Sequence, residues 1–142
     1  MGNMDKNIIN ILIGQHNVLK RQTAGIKTES QKDAADFTAI FAGLKEFEKS
    51  FAGHLELENN FFYPNLLRKL ESRGVDMREI RKFIDEMKQI EKDVYGFLGK
   101  YDTAEKIEKN FGPFEPDLNE TIVVLLIRIY SEENGVYLSW ED

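Results

Sequence analysis

The sequence predicts an all-α fold, a four-helix bundle with up-down-up-down connections. Apolar residues recur at steps of three and four over long segments. Only three prolines, Pro64, Pro113 and Pro116, interrupt 142 residues. The connections between the periodic segments are mostly short. A chain of this length is expected to make one domain, 1–142, large enough to bury a core without staples.

The first helix is predicted from about Asp5 to about Ile26, with Ile9, Leu12, Ile13, His16, Leu19 and Thr23 on its apolar line. Thr28 to Asp33 reads as a polar connection. The second helix starts near residues 32–34 and carries Phe37, Ile40, Phe41 and Leu44 inward. Pro64 lacks a backbone donor and is expected to kink or break this helix. The pattern resumes with Leu66, Leu67 and Leu70 and closes at Gly74, which suits a C-terminal cap. A third helix is expected from about Asp76 to about Gly99, its stripe formed by Ile80, Phe83, Ile84, Met87, Ile90, Val94, Phe97 and Leu98. Thr103 to Asn110 can form a short helix, and Phe111 to Asp117 reads as a loop by its Gly and Pro content. The last helix is placed from about Leu118 to about Ser139, with Ile122, Leu125, Ile129, Glu132 and Val136 inward and Arg128 beside them.

Composition removes several functional classes. There are no cysteines, so disulfides, thiolate metal sites and cysteine nucleophiles are excluded. A net charge of -6 with scattered Lys and Arg argues against nucleic acid as a partner. The apolar run Ile8 to Ile13 is broken by Asn10 and is too short for a membrane span, so a soluble, cytoplasmic protein is the expectation. No phosphate loop or nucleophile–base pair is present, which ranks an enzymatic role last. With only His16 and His54, imidazole chemistry is limited to those two residues.

The chain is organised around Phe47 to Pro64. Leu44, Phe47, Phe51, His54, Glu58 and Phe62 fall in one line at helical spacing, so His54 and Glu58 interrupt a buried stripe one turn apart. A buried carboxylate is costly unless a cation compensates it. Glu58 therefore requires either a metal or a basic side chain. The bland reading of the pair is a satisfied histidine beside a paired glutamate.

The run from His54 to Pro64 resembles the second-helix motif of the hemerythrin-like (HHE cation-binding) family, a His-x-x-x-Glu followed closely by aromatic residues and a proline. In that family, histidines and two carboxylates from four helices hold a non-haem di-iron centre. The resemblance implies His16 as the first-helix ligand, His54 and Glu58 as the second-helix ligands and Glu132 as the second bridging carboxylate. It also exposes two departures. Met87 stands after Glu86 where the third helix normally brings a histidine. Arg128 stands where the fourth-helix histidine is expected, four residues before Glu132.

One metal position thus keeps His16, His54, Glu58 and Glu132, a set that Fe(II), Mn(II) or Zn(II) accepts. The other keeps no imidazole, and Arg128 supplies a permanent positive charge there. The expectation is one iron per chain, with Mn, Zn or no metal as alternatives, in a site for iron, redox or oxygen sensing or storage. The competing expectation is a metal-free regulatory or protein-binding bundle, loosely like the helical anti-sigma regulators, in which Arg128 replaces the metal charge. Glu91 and Tyr130 would reach the centre if the third or fourth helix were rotated. Phe111, Phe114, Tyr137 and Trp140 are expected to serve in packing and end-capping, with an exposed partner patch as the alternative. Oligomeric state and partner are not legible.

Overall fold

The computed structural model describes the backbone of residues 2–141 and the side chains of residues 7–140. All regular structure among the described residues is helical, and the bundle is all-α as predicted. The helices are α1 (Gly2–Ser30), α2 (Phe37–Leu57), α3 (Tyr63–Ser72), α4 (Arg78–Lys100), α5 (Ala104–Lys109), α6 (Phe111–Ser131) and α7 (Tyr137–Glu141). Two wide π-helical turns, Glu58–Phe62 and Glu132–Val136, join α2 to α3 and α6 to α7 without a break.

Local chemistry accounts for most of the boundaries. Asp36 caps α2 by accepting from the Ala39 N–H at 3.1 Å, and Thr103 caps α5 by accepting from the Lys106 N–H at 3.0 Å. Gly74, at φ 73°, closes α3 in the left-handed conformation that suits glycine. α1 and α2 run antiparallel. Gln22 of α1 donates to Ser50 of α2 at 3.0 Å, while Gln15, two turns earlier, meets His54, one turn later.

Two expectations need correction. The segment from Phe111 to Asp117 is the first part of α6, not a loop. Pro113 lies in the first turn, where a backbone donor has no intrahelical partner, so only Pro116 costs a ladder bond. Phe114 and Leu118 are buried one turn apart on this segment, each contributing about 1.5–3 kcal/mol by its burial. That outweighs the lost bond. Pro64 does not end its helix either. The wide turn from Glu58 to Phe62 precedes it, with the Tyr63 N–H bonded to Glu58 O, so the chain continues into α3.

The core divides into two apolar layers. One holds Leu19, Ile26, Leu44, Phe47, Phe51, Val94, Phe97, Phe114, Leu118, Leu125 and Ile129. The other holds Ile8, Ile9, Leu12, Phe62, Leu66, Ile84, Val136 and Trp140. On each long helical arm the same transition occurs: from Leu19 to Leu12, from Phe51 to Phe62, from Val94 to Ile84 and from Leu125 to Val136. The residues at the transition are His16, His54 with Glu58, Met87, and Arg128 with Glu132, and all of them are buried. A polar layer is thus enclosed between two apolar ones.

Candidate metal centre

Each polar residue enters this layer through the stripe of its helix. His16, His54, Glu58 and Glu132 are at most 2% exposed, and one potential ligand atom from each lies within 4.8 Å of the others. Arg128 is equally buried beside them.

The imidazoles are oriented from behind. The Nδ1 of His54 lies 2.7 Å from the Gln15 Oε1, which can only accept, so Nδ1 carries the proton. The Nδ1 of His16 lies 2.7 Å from the Glu133 Oε2 and donates likewise. Both histidines therefore turn Nε2 toward the centre, the arrangement outer hydrogen bonds impose on metal-ligating histidines. Gln15 and Glu133 are not among the residues that the sequence singles out. Glu133 follows Glu132 directly, and Gln15 precedes His16 directly, but a side chain beside a ligand carries no signal of its own.

The carboxylates divide their oxygens between the two halves of the layer. Glu58 Oε1 accepts from Arg128 Nη2 at 2.5 Å, and its Oε2 faces His54 Nε2 at 3.5 Å. Glu132 Oε2 lies 3.5 Å from the same Nη2, and its Oε1 lies 3.2 Å from His16 Nε2. Two tyrosines cross between them. The Tyr63 hydroxyl donates to Glu132 Oε2 at 2.6 Å, and the Tyr137 hydroxyl donates to Glu58 Oε2 at 2.7 Å and lies 3.2 Å from His16 Nε2.

Burial lowers the His16 pKa, which favours the neutral imidazole that a metal needs. Burial also pushes the Glu132 carboxyl well above its ordinary value, and the nearby Glu58 charge adds to the effect. Glu58 goes the other way. Burial alone would raise it, but His54, Glu132 and the Arg128 charge outweigh burial and hold it well below the ordinary range. Burial opposes the Arg128 charge, yet the surrounding carboxylates keep it protonated. Without a metal, burial favours the neutral form of the Glu132 carboxyl, which faces His16 Nε2, and Arg128 balances Glu58.

Met87 is buried on the inward line, and its backbone oxygen accepts from Arg128 Nη1 at 3.1 Å. Glu91 reaches the edge of the layer, with Oε2 3.5 Å from Arg128 Nη1 and Oε1 accepting from Asn59 at 3.1 Å. Tyr130 does not approach the centre. It is 69% exposed because, two residues after Arg128, it lies roughly 200° around the helix. Tyr137, read as a packing residue, is the tyrosine that enters the layer, alongside Tyr63. Phe114 and Trp140 are buried packing residues, as expected, and Phe111 is partly buried against Phe37.

The donor set fits a cation. His54 Nε2 is buried and has no hydrogen-bond partner, and it faces the carboxylate oxygen of Glu58. An imidazole nitrogen and a carboxylate oxygen turned toward each other in a dry interior need a proton or a metal ion between them. Two imidazoles and two carboxylates are acceptable to a first-row divalent ion. No helix among the described residues is long and apolar enough to cross a membrane. No curated protein and no solved structure matches the chain. The description "Hemerythrin HHE cation binding domain" matches residues 7–138, and the chain belongs to that family.

Proposed function

We propose that this chain binds a single divalent metal through His16, His54, Glu58 and Glu132, and that Arg128 stands in place of a second cation. The observation that carries this reading is the orphaned His54 Nε2, fixed by Gln15 and turned on Glu58 Oε2. A bound metal would supply Lewis acidity and, if it is iron, one-electron redox chemistry. The chain's own residues orient the imidazoles through Gln15 and Glu133, hold the carboxylates through Tyr63 and Tyr137, and keep water out with the two apolar layers. Iron is the metal we assign, in keeping with the family resemblance, and sensing or storage of iron, redox state or oxygen is the role. Such a role needs a buried, exchangeable site and no substrate pocket.

Metal content per chain tests this directly, measured on protein purified without an affinity-metal step and again after iron loading. About one metal per chain is expected, from a single set of four ligands. About two would mean that Arg128 does not exclude a second ion. None after loading would favour the second reading, a metal-free regulatory or protein-binding bundle. The close Arg128–Glu58 pair supports that alternative, because it already neutralises one carboxylate.

A further inference from the structure

A surface cleft of about 560 Å³ opens along α4, lined by Asn59, Lys88, Glu91, Lys92, Tyr95 and Gly96. Behind it lies the polar layer, reached through Glu91. The Glu91 Oε2 is buried and has no hydrogen-bond partner, and its 3.5 Å separation from Arg128 Nη1 exceeds the length of a charged hydrogen bond. Arg128 Nε is also buried without a partner, although the side chain is only 1% exposed. The contact between Glu91 and Arg128 is therefore a loose link at the edge of the polar layer, with an unused acceptor on Glu91 and an unused donor, Nε, elsewhere on the same guanidinium.

The lip of the cleft is basic. Lys88 and Lys92 stand one helical turn apart, both exposed, where like charges repel. No ion pair among the described residues involves Lys88 or Lys92. A cation entering the cleft would meet two ammonium groups at the rim and a guanidinium behind Glu91. An anion would meet the two ammonium groups at the rim and, behind Glu91, a guanidinium that Glu58 already pairs.

We propose that the α4 cleft binds a compact oxyanion, a carboxylate or an inorganic phosphate in chemistry, which displaces Glu91 from Arg128 and is held at the rim by Lys88 and Lys92. Glu91 is then an internal carboxylate occupying the position of the ligand. Asn59, which donates to Glu91 Oε1, holds that plug in place. The site does not depend on a metal in the neighbouring ligand set.

The test uses the full ¹⁵N-labelled chain after chelator treatment, so that its outcome is independent of metal binding. Sodium phosphate and sodium acetate are titrated separately at constant ionic strength, and the Arg128 Nε–Hε resonance is followed. A saturable shift with either anion, and none with chloride, is expected. The apparent affinity should tighten about tenfold in Glu91→Gln, where the competing charge is gone, and weaken at least about tenfold in Lys88→Gln/Lys92→Gln. A response to one oxyanion only identifies which chemistry the cleft takes and supports the site. An Arg128 resonance unmoved by both anions, a shift that never saturates, or equal affinity in Glu91→Gln and the unaltered chain would overturn the proposal.

Discussion

Tyr137 donates its hydroxyl proton to Glu58, at 2.7 Å, and not to Glu132, which lies five residues earlier in its own helical arm. Tyr63 mirrors it, donating to Glu132 and not to Glu58, five residues before it. Each glutamate begins a π-helical turn and each tyrosine follows one, with the tyrosine N–H bonded to the glutamate carbonyl. The widened turns let one helical arm present a ligand to the centre and a support to the opposite arm. The two arms are thereby tied together at the layer where the charges are buried.

The crossing makes both tyrosines structural supports. Tyr137→Phe and Tyr63→Phe should each destabilise the protein by about 1.5–3 kcal/mol, because a buried carboxylate oxygen loses a donor. Urea denaturation of the two variants would measure the loss. A double variant near twice the single loss would indicate independent supports, and a smaller one would show that the two tethers share a rigid layer.

Arg128→Leu removes the guanidinium that pairs with Glu58 and leaves that carboxylate buried without its cation. A loss of about 3–5 kcal/mol is expected at neutral pH. The sign of the pH dependence changes too. In the unaltered protein Glu58 is depressed, so its contribution is present above the ordinary carboxylate value and is lost as pH falls below it. In the variant that acid-side loss should disappear, because Glu58 takes up a proton readily once folded. Stability curves between pH 3 and pH 7, on the order of four units around the carboxylate range, would separate the two behaviours.

Glu132 has the opposite linkage. Its folded, metal-free value is raised, so its contribution is complete below the ordinary carboxylate value and is lost as pH climbs toward the raised one. Glu132→Gln mimics the protonated carboxyl. The variant should gain stability relative to the unaltered protein as pH rises through that window, when both are treated with chelator. The same variant should bind metal more weakly, since an amide is a poorer ligand than a carboxylate. Stability gained at the expense of metal binding would mark Glu132 as a residue retained for its ligand chemistry.

Metal retention distinguishes ligands from their surroundings. His54→Ala and Glu58→Ala should release the metal. Met87→Ala should retain it while losing about 2–5 kcal/mol of stability, because a buried side chain is truncated. Gln15→Leu leaves all four ligands in place but frees the His54 ring, and a 10–100-fold weaker affinity is expected, at roughly the cost of a lost outer hydrogen bond. Equal loss in His54→Ala and Met87→Ala would place the metal elsewhere. Elemental analysis and competition with a chromogenic chelator measure both effects.

The sequence by itself determined the all-α fold and the inward lines of the helices, because 3.6-residue periodicity is a local property that burial selects directly. His16, His54, Glu58, Met87, Arg128 and Glu132 were legible for that reason: polar or departing residues on apolar lines stand out against their neighbours. Tertiary structure decided what periodicity cannot express. The helical start of α6 depended on Phe114 and Leu118 finding a core, which outweighed its prolines. The π-helical turns shifted the phase after Glu58 and Glu132 and brought Tyr63 and Tyr137 into the layer, while Tyr130 stayed outside. Gln15 and Glu133 became orienting partners only when α1 met α2 and the second π-helical turn. A hydrogen bond between residues over a hundred positions apart is set by how helices pack, and no spacing along the chain records it.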